Sequence, residues 1–334
     1  MERYFLGNNT AHGFMGNYEQ ELKDKDIVVL LKGGPGTGKS TILKRIAAEA
    51  EKRGYAYEKW YCSGDPKSLD GVFVKDLNRA VVDATAPHAT GADLPVVKDV
   101  IVDLASSLER DKLQTYANEI KRLLSCKKHE FMRVYHHLKL AFCHFENKIA
   151  LETSSVSAPK IRAIAVDFAR RIVGETGILK AKRKLFASAI CPTGESVFYD
   201  FLHGKKIFKL KGSDCVANIF FEQLASLFEG GTYILKPLEP RYIDGIVLND
   251  VAVVKDVGFE TDFEEIDLTE FEKFDYPADL RDEQNGETLE TAFAVEHLNR
   301  AREFHLEAEK YFVGAMNWDK NERLYQKVFD AVFS

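Results

Sequence analysis

Ile27-Val28-Val29-Leu30-Leu31-Lys32-Gly33-Gly34-Pro35-Gly36-Thr37-Gly38-Lys39-Ser40-Thr41 is the stretch that decides the fold. Its first five residues are continuous, apolar and rich in β-branched side chains, which predicts a central parallel strand buried on both faces. Gly33 through Gly38, Lys39 and Ser40 then satisfy G-x-x-x-x-G-K-[ST], and the apolar spacing Ile42, Leu43, Ile46, Ala47, Ala50 predicts a helix behind them. Glycines let a backbone approach a polyphosphate with no Cβ in the way. The N–H groups of Gly36 to Ser40 form an anion nest, to which a helix starting near Gly38 adds its unsatisfied donors and the positive end of its dipole. Gly33, Gly34, Pro35, Gly36, Thr37, Gly38, Lys39, Ser40 and Thr41 are therefore assigned to nucleotide binding. Lys39 would reach the β and γ phosphates, the Ser40 hydroxyl would ligate Mg²⁺, and Thr41 would pack or cap.

A Mg²⁺-nucleotide site adds a carboxylate at the end of a neighbouring hydrophobic strand. Ala80-Val81-Val82-Asp83 and Val100-Ile101-Val102-Asp103 both offer one. Pro95 followed by Val97, Val100, Ile101 and Leu104 reads with helical spacing and an N1 proline, which would put Asp103 inside a helix. Asp83 is thus the preferred metal and catalytic carboxylate, beside Lys39. His88, just past Pro87, reads as a surface loop histidine.

Composition bounds the class. The 334 residues suggest about two domains. Apolar residues at 45% and charged residues at 29% exclude disorder as the main state. With 46 Lys+Arg against 52 Asp+Glu, the net charge of -6 leaves no general basic field for nucleic acid. Five cysteines (Cys62, Cys126, Cys143, Cys191, Cys215) without a C-x-x-C pair suit a reducing compartment. Met1-Glu2-Arg3-Tyr4-Phe5 carries no apolar core of signal-peptide length, and Ile27 to Leu31, the longest aliphatic run, is far short of the roughly 20 residues that span a bilayer, so neither export nor insertion is expected. The expected location is cytoplasmic, without membrane insertion.

A repeat underlies the length. Phe5, Gly13 and Tyr18 match Phe186, Gly194 and Tyr199 at an offset of 181. The strand Val28 to Gly33 matches Ile207 to Gly212 at 179, and Pro66 to Val72 matches Pro240 to Ile246 at 174. In the second copy the loop reads Gly212-Ser213-Asp214-Cys215-Val216-Ala217-Asn218, one residue shorter, with one glycine and no lysine. Asp214 stands where phosphate oxygens would lie and no cation replaces Lys39, so this copy is a degenerate phosphate loop. The shared P-[KR]-x-[LI]-D-G-[VI] segment reads as a strand-end turn in both halves. Lys67 and Asp70 are candidates for second-substrate or water contacts. Arg241 is a candidate for a charge-stabilising finger across a domain interface.

From about Ser107 to Ala150 the pattern is helical, with Ile120, Leu124, Phe131, Val134, Leu138, Phe142 and Phe145 on one face. Cys126, His129, His136 and Cys143 invite a zinc reading. A straight helix spreads them over roughly 25 Å, too far for one ion. Leu289 to Phe333 is helical again, with His305 and Tyr311 matching His129 and Tyr135, so each half reads as an α/β sheet unit plus its own helical hairpin. The acidic stretch Gly258 to Asp275 reads as a solvated linker and Thr153 to Pro159 as an interdomain joint. The absence of an N-K-x-D motif favours ATP over GTP, and no G-x-S-x-G, H-E-x-x-H or paired C-x-x-C occurs.

Phe5-Leu6-Gly7-Asn8-Asn9-Thr10, the phosphate loop, Cys62 to Gly71, and Val81-Val82-Asp83-Ala84-Thr85-Ala86-Pro87-His88 together resemble an uncharacterised bacterial family of tandem P-loop ATPases. The resemblance covers nearly the whole chain. Members of that family usually carry a working P-loop in both halves, so the eroded second loop is a departure that puts a two-site mechanism in doubt. The resulting expectation is an α/β protein of two tandem P-loop NTPase-like parallel-sheet domains, residues 1–156 and 157–334, each with an appended helical hairpin. Its expected ligands are ATP and Mg²⁺, and its expected activity is ATP hydrolysis coupled to movement of the hairpins. Phosphoryl transfer to a small acceptor and a slow nucleotide-gated switch acting on a protein partner are the alternatives.

Overall fold

The computed structural model describes residues 1–86, 91–255 and 262–334; His88 and Glu260 lie outside the described residues. The first half opens with β1 (Glu2–Tyr4), the hairpin β2 (Gly7–Thr10) and β3 (Gly13–Gly16), and α1 (Tyr18–Leu22). β4 (Ile27–Lys32) and α2 (Lys39–Lys52) flank the glycine loop, and β5 (Tyr57–Cys62), β6 (Asp65–Val74), β7 (Arg79–Asp83) and β8 (Asp99–Asp103) complete the sheet. Three helices come next, α3 (Arg110–Thr115), α4 (Ala117–Thr153) and α5 (Ala158–Thr176). The second half repeats the plan with β9 (Arg183–Leu185), β10 (Ser188–Cys191), β11 (Gly194–Val197), β12 (Lys206–Lys211) and α6 (Asp214–Leu227). It continues with β13 (Thr232–Leu235), β14 (Ile243–Leu248), β15 (Val251–Lys255), β16 (Glu264–Asp267), α7 (Pro277–Gly314) and α8 (Trp318–Phe333).

The two sheets have one topology. Strand order is β1-β5-β6-β7-β4-β8 in the first and, read from the matching edge, β9-β13-β14-β15-β12-β16 in the second. In each, the middle strand of the repeated D-G segment runs antiparallel to both neighbours and every other pairing is parallel. The sheets are therefore mixed, not parallel as expected. The reason is connection length: Ser63-Gly64 joins β5 to β6 and only residues 75–78 join β6 to β7. A parallel crossover needs a dozen or more residues.

The D-G segment is consequently strand in the first half, where Pro66–Val72 lies within β6, whereas in the second half Pro240 and Arg241 form a turn that leads into β14. Its glycines answer cross-strand crowding, since a Cβ on Gly71 would lie 2.5 Å from the Trp60 ring and one on Gly245 would lie 2.9 Å from Val254. Residues 99–103, expected to be helical, form β8 parallel to β4. The β-branched run there pairs beside β4, while Val96, at φ 70°, breaks the helical path. Part of the acidic linker is also a strand: Glu264–Asp267 is an edge strand parallel to β12. Acidic side chains on such an edge discourage further strand addition.

The largest departure concerns the helices. α4 does not fold back on its own half; it lies antiparallel against α7, so the hairpin is built across the halves. His137 pairs with Glu290 at 2.7 Å and His297 with Glu130 at 2.6 Å, each helix giving one histidine and one glutamate. The two imidazoles stack at 5.3 Å between them. This register differs from the sequence match of His129 with His305, because His129 is exposed while His305 faces a cavity. Counted by the repeat, in which α5 closes the first copy as α8 closes the second, the shorter helices are exchanged too. α5 packs its Ile161, Ala165, Phe168 and Ile172 on α6 and the second sheet. α8 returns to place Tyr325, Val328 and Val332 against β4, α2 and Val102 of the first sheet.

The inner faces of both sheets share one core that also takes in α1, where Val28 and Leu30 meet Ile207, Val247 and Val254. At its edge Phe5 and Phe186 exchange both backbone hydrogen bonds, 2.9 and 3.1 Å, as residues beside a two-fold axis do. Asn8 binds the Ser188 carbonyl and the Ile190 N–H from the facing hairpin. Among the described residues no helix is long and apolar enough to cross a membrane.

Candidate functional site

The loop after β4 has the predicted shape. β4 is buried on both faces, and α2 buries Ile42, Leu43, Ile46, Ala47 and Ala50, the apolar positions read from the sequence. Between them Gly36 and Gly38 lie at φ 67° and 83°, left-handed conformations that a Cβ disfavours. Gly38 is the N-cap of α2 with no side-chain cap, which leaves the first-turn N–H groups available to an anion.

Lys39 curls over the loop and donates to the Gly33 and Gly34 carbonyls, both at 2.8 Å, with its ammonium 3.7 Å from the Asp83 carboxylate. Asp83 ends β7, the strand beside β4, and its second oxygen accepts from Thr85 N–H at 2.8 Å. The Thr85 hydroxyl in turn donates to the Gly33 carbonyl at 3.0 Å. The Ser40 hydroxyl accepts from Leu69 N–H at 3.1 Å. Asp103 ends β8 on the other flank of β4, is exposed, and caps the next turn through Ala105 N–H.

These residues border one cavity of about 400 Å³. Gly34, Pro35, Gly36, Thr37, Gly38, Lys39, Ser40, Thr41 and Asp83 all line it; Gly33 lies just behind at the end of β4. Asp70 lines it too, buried and accepting from the Tyr18 hydroxyl at 3.3 Å. Lys67 is exposed and does not. Arg241 is elsewhere, held to Glu239 at 2.9 Å and Glu146 at 3.8 Å, so it is no finger for this site.

Fit to Mg²⁺ is a matter of the donors. Ser40 and Asp83 are hard oxygen ligands on one cavity wall. A site with one or two protein oxygens is how a magnesium that keeps water and phosphate ligands is held. Among the described residues no cluster of three or more His, Cys, Asp or Glu could hold a metal by itself, and His129, His136 and Cys143 are exposed on α4.

The opposite wall was not legible as a site. It consists of one stripe of α4 (Leu124, Lys127, Phe131, Tyr135) and one of α7 (Leu298, Arg302, His305, Glu309). Lys127 donates to His305 Nδ1 at 3.0 Å, and Arg302 binds Asp65 at 3.1 Å. Burial and the nearby cations Lys127 and Lys39 hold the His305 imidazole down at about 4, so it is neutral near pH 7. Burial, with the Lys39 charge, also lowers the Lys127 ammonium, and burial pushes the Tyr135 hydroxyl up to about 12. A lysine inside an apolar helix stripe was the one available signal. α7 and α8 also seat the loop: Phe312 approaches Gly34, Val313 approaches Gly36, and buried Asn321 donates to the Thr37 carbonyl at 3.1 Å.

The second loop is blocked by the protein itself. Cys215 N–H donates to the Glu152 carboxyl at 2.9 Å, and Ser213 N–H donates to Glu272. Asp214, first residue of α6 as Lys39 is of α2, is surrounded by Lys148 at 2.9 Å, Lys236 at 3.2 Å and Lys255. Cations do gather there, contrary to expectation. Lys255 ends β15 as Asp83 ends β7, so the lysine–aspartate pair of the first half recurs with its charges exchanged. Asn218 faces outward and binds Glu222 at 3.1 Å. No known protein family, no curated protein and no solved structure matches this chain, so its functional reading rests on the geometry of these two loops and the cavity.

Proposed function

We propose that the protein binds Mg²⁺-ATP at Gly33–Thr41 and acts on its γ-phosphate, as a P-loop ATPase. The observation that carries this is the convergence of a left-handed glycine loop, an uncapped helix start, Lys39 and Asp83 on one cavity. Bound triphosphate would draw Lys39 from the Gly33 and Gly34 carbonyls to the β and γ oxygens, exchanging neutral acceptors for charged ones. Ser40 and Asp83 would hold the metal, directly or through water, and the metal would neutralise charge developing on the transferred phosphoryl group. Hydrolysis would be coupled to the α4–α7 hairpin, because α7 rests on the loop.

A second reading, transfer to a small acceptor, is favoured by one observation: the cavity extends past the loop to the polar wall of α4 and α7. Calorimetry with ATP and Mg²⁺, and γ-phosphate release with and without added acceptors, separate the two. Lys39→Ala is expected to lower ATP affinity by about tenfold or more, the scale of a lost charged hydrogen bond, and to abolish turnover. Undiminished affinity and turnover in Lys39→Ala would defeat the assignment.

A further inference from the structure

The hairpin wall of the cavity is unlike an ordinary helix interface. Lys127 is half-buried between the helices yet forms no ion pair among the described residues; its neighbours are His305 and the Phe131 ring. Arg302 uses only Nε on Asp65, and among the described residues no other hydrogen bond engages its guanidinium. His305 accepts from Lys127 through Nδ1, which places its proton on Nε2 and makes that nitrogen a donor. Of the neighbouring carboxylates, Asp70 is directed to Tyr18 and Asp83 to Lys39 and Thr85, Asp65 holds the Arg302 Nε, and Glu309 lies at the glycine-loop end of the wall beside Gly36. One half-buried cation, one guanidinium fork and one imidazole N–H thus border the same space with donors to spare.

We infer that Lys127, Arg302 and His305 form a second oxyanion site, which receives the phosphate monoester of a small second substrate bound beside the nucleotide. Three donors of this kind match a tetrahedral group with several charged oxygens, and the guanidinium offers the paired geometry that phosphate accepts. The terminal phosphate of ATP has the same chemistry, but position separates the two. α7 meets the loop at Glu309 and Val313, and Arg302 lies about two turns, roughly 10 Å, back along the helix. There it binds Asp65 at the start of β6. Phe131 and Tyr135 on α4 and Phe14 on β3 supply apolar surface for the body of such a substrate. This inference depends on the triphosphate occupying Gly33–Thr41.

The test is calorimetric titration of inorganic phosphate into the full-length protein saturated with Mg²⁺ and the non-hydrolysable β,γ-imido analogue of ATP, which fills the γ position. Wild type is expected to take up phosphate with the analogue bound. Lys127→Met and Arg302→Gln are each expected to weaken that uptake by about tenfold, with analogue affinity held within about twofold. Absence of phosphate uptake in wild type overturns the inference. So does a tenfold loss of analogue affinity in Lys127→Met, which would assign the hairpin cations to the nucleotide's own phosphate. Failure of the nucleotide reading is a different result: the analogue would bind wild type and Lys39→Ala equally poorly. Phosphate titrated without nucleotide then still reports on Lys127 and Arg302.

Discussion

At the scale of single residues, charge placement dominates. Asp214 is mostly buried; burial alone would raise its carboxyl, but Lys236, Lys255 and Lys148 override this and hold it far below the usual carboxylate range. Asp214→Asn would leave three lysines facing one another, and removing one partner of a buried charge cluster costs about 3–5 kcal/mol. Urea unfolding of the variant should show that loss. Glu58 at the interface of the halves behaves alike. Fully buried, it is nonetheless held at about 2 by Arg183, which it binds at 3.0 Å, and by Lys75 at 3.1 Å. Both carboxyls are lower in the folded than in the unfolded state. Their stabilisation is therefore complete above the ordinary carboxyl range near 4 and is lost as pH falls through their folded values. Stability measured between pH 6 and 2 should drop steeply below about pH 4, and Glu58→Gln should flatten the drop.

At the scale of elements, α8 and α4 do more than cover sheets. Asn321 on α8 reaches the buried Thr37 carbonyl inside the glycine loop. Asn321→Ala should destabilise the protein by about 1–2 kcal/mol, the cost of an unsatisfied buried acceptor, and weaken ATP binding measured by calorimetry. An unchanged ATP affinity would mean that α8 does not shape the loop. α4, about 55 Å long at 1.5 Å per residue, carries Lys127 to the first cavity and Lys148 and Glu152 to the second loop. Because Glu152 fills the α6 N-terminus, the second loop should not take triphosphate. Asn218→Ala should leave ATP affinity unchanged; a loss as complete as in Lys39→Ala would show that the second loop binds nucleotide.

At the scale of the whole molecule, the halves are interlocked by helix exchange. The first sheet is finished by Tyr325, Val328 and Val332 from the far end of the chain. Each such buried side chain is worth about 1.5–3 kcal/mol. Residues 1–156 expressed alone should therefore lack the first sheet's outer cover and fail to give a cooperative thermal transition. Co-expression with residues 157–334 should restore one. A stably folded 1–156 fragment, seen by circular dichroism and calorimetry, would contradict the interlock.

The local signals were legible in the chain. Ile27–Lys32, the glycine loop and the spacing of Ile42 to Ala50 predicted strand, loop and helix, and Asp83 was found at its strand end, because these depend on neighbours close in sequence. The duplication was legible for the same reason, since each copy folds by the same local pattern. Only the tertiary structure decided the mixed sheet order, the exchange of α5 and α8, and the gathering of Lys127, Arg302 and His305 opposite Lys39. The helix exchange depends on which of two equivalent sheets a helix covers. Two copies of one pattern present nearly the same apolar face, so periodicity cannot choose between them. The packing of α4 on α7, set by pairs such as His137 with Glu290 far apart in the chain, makes that choice.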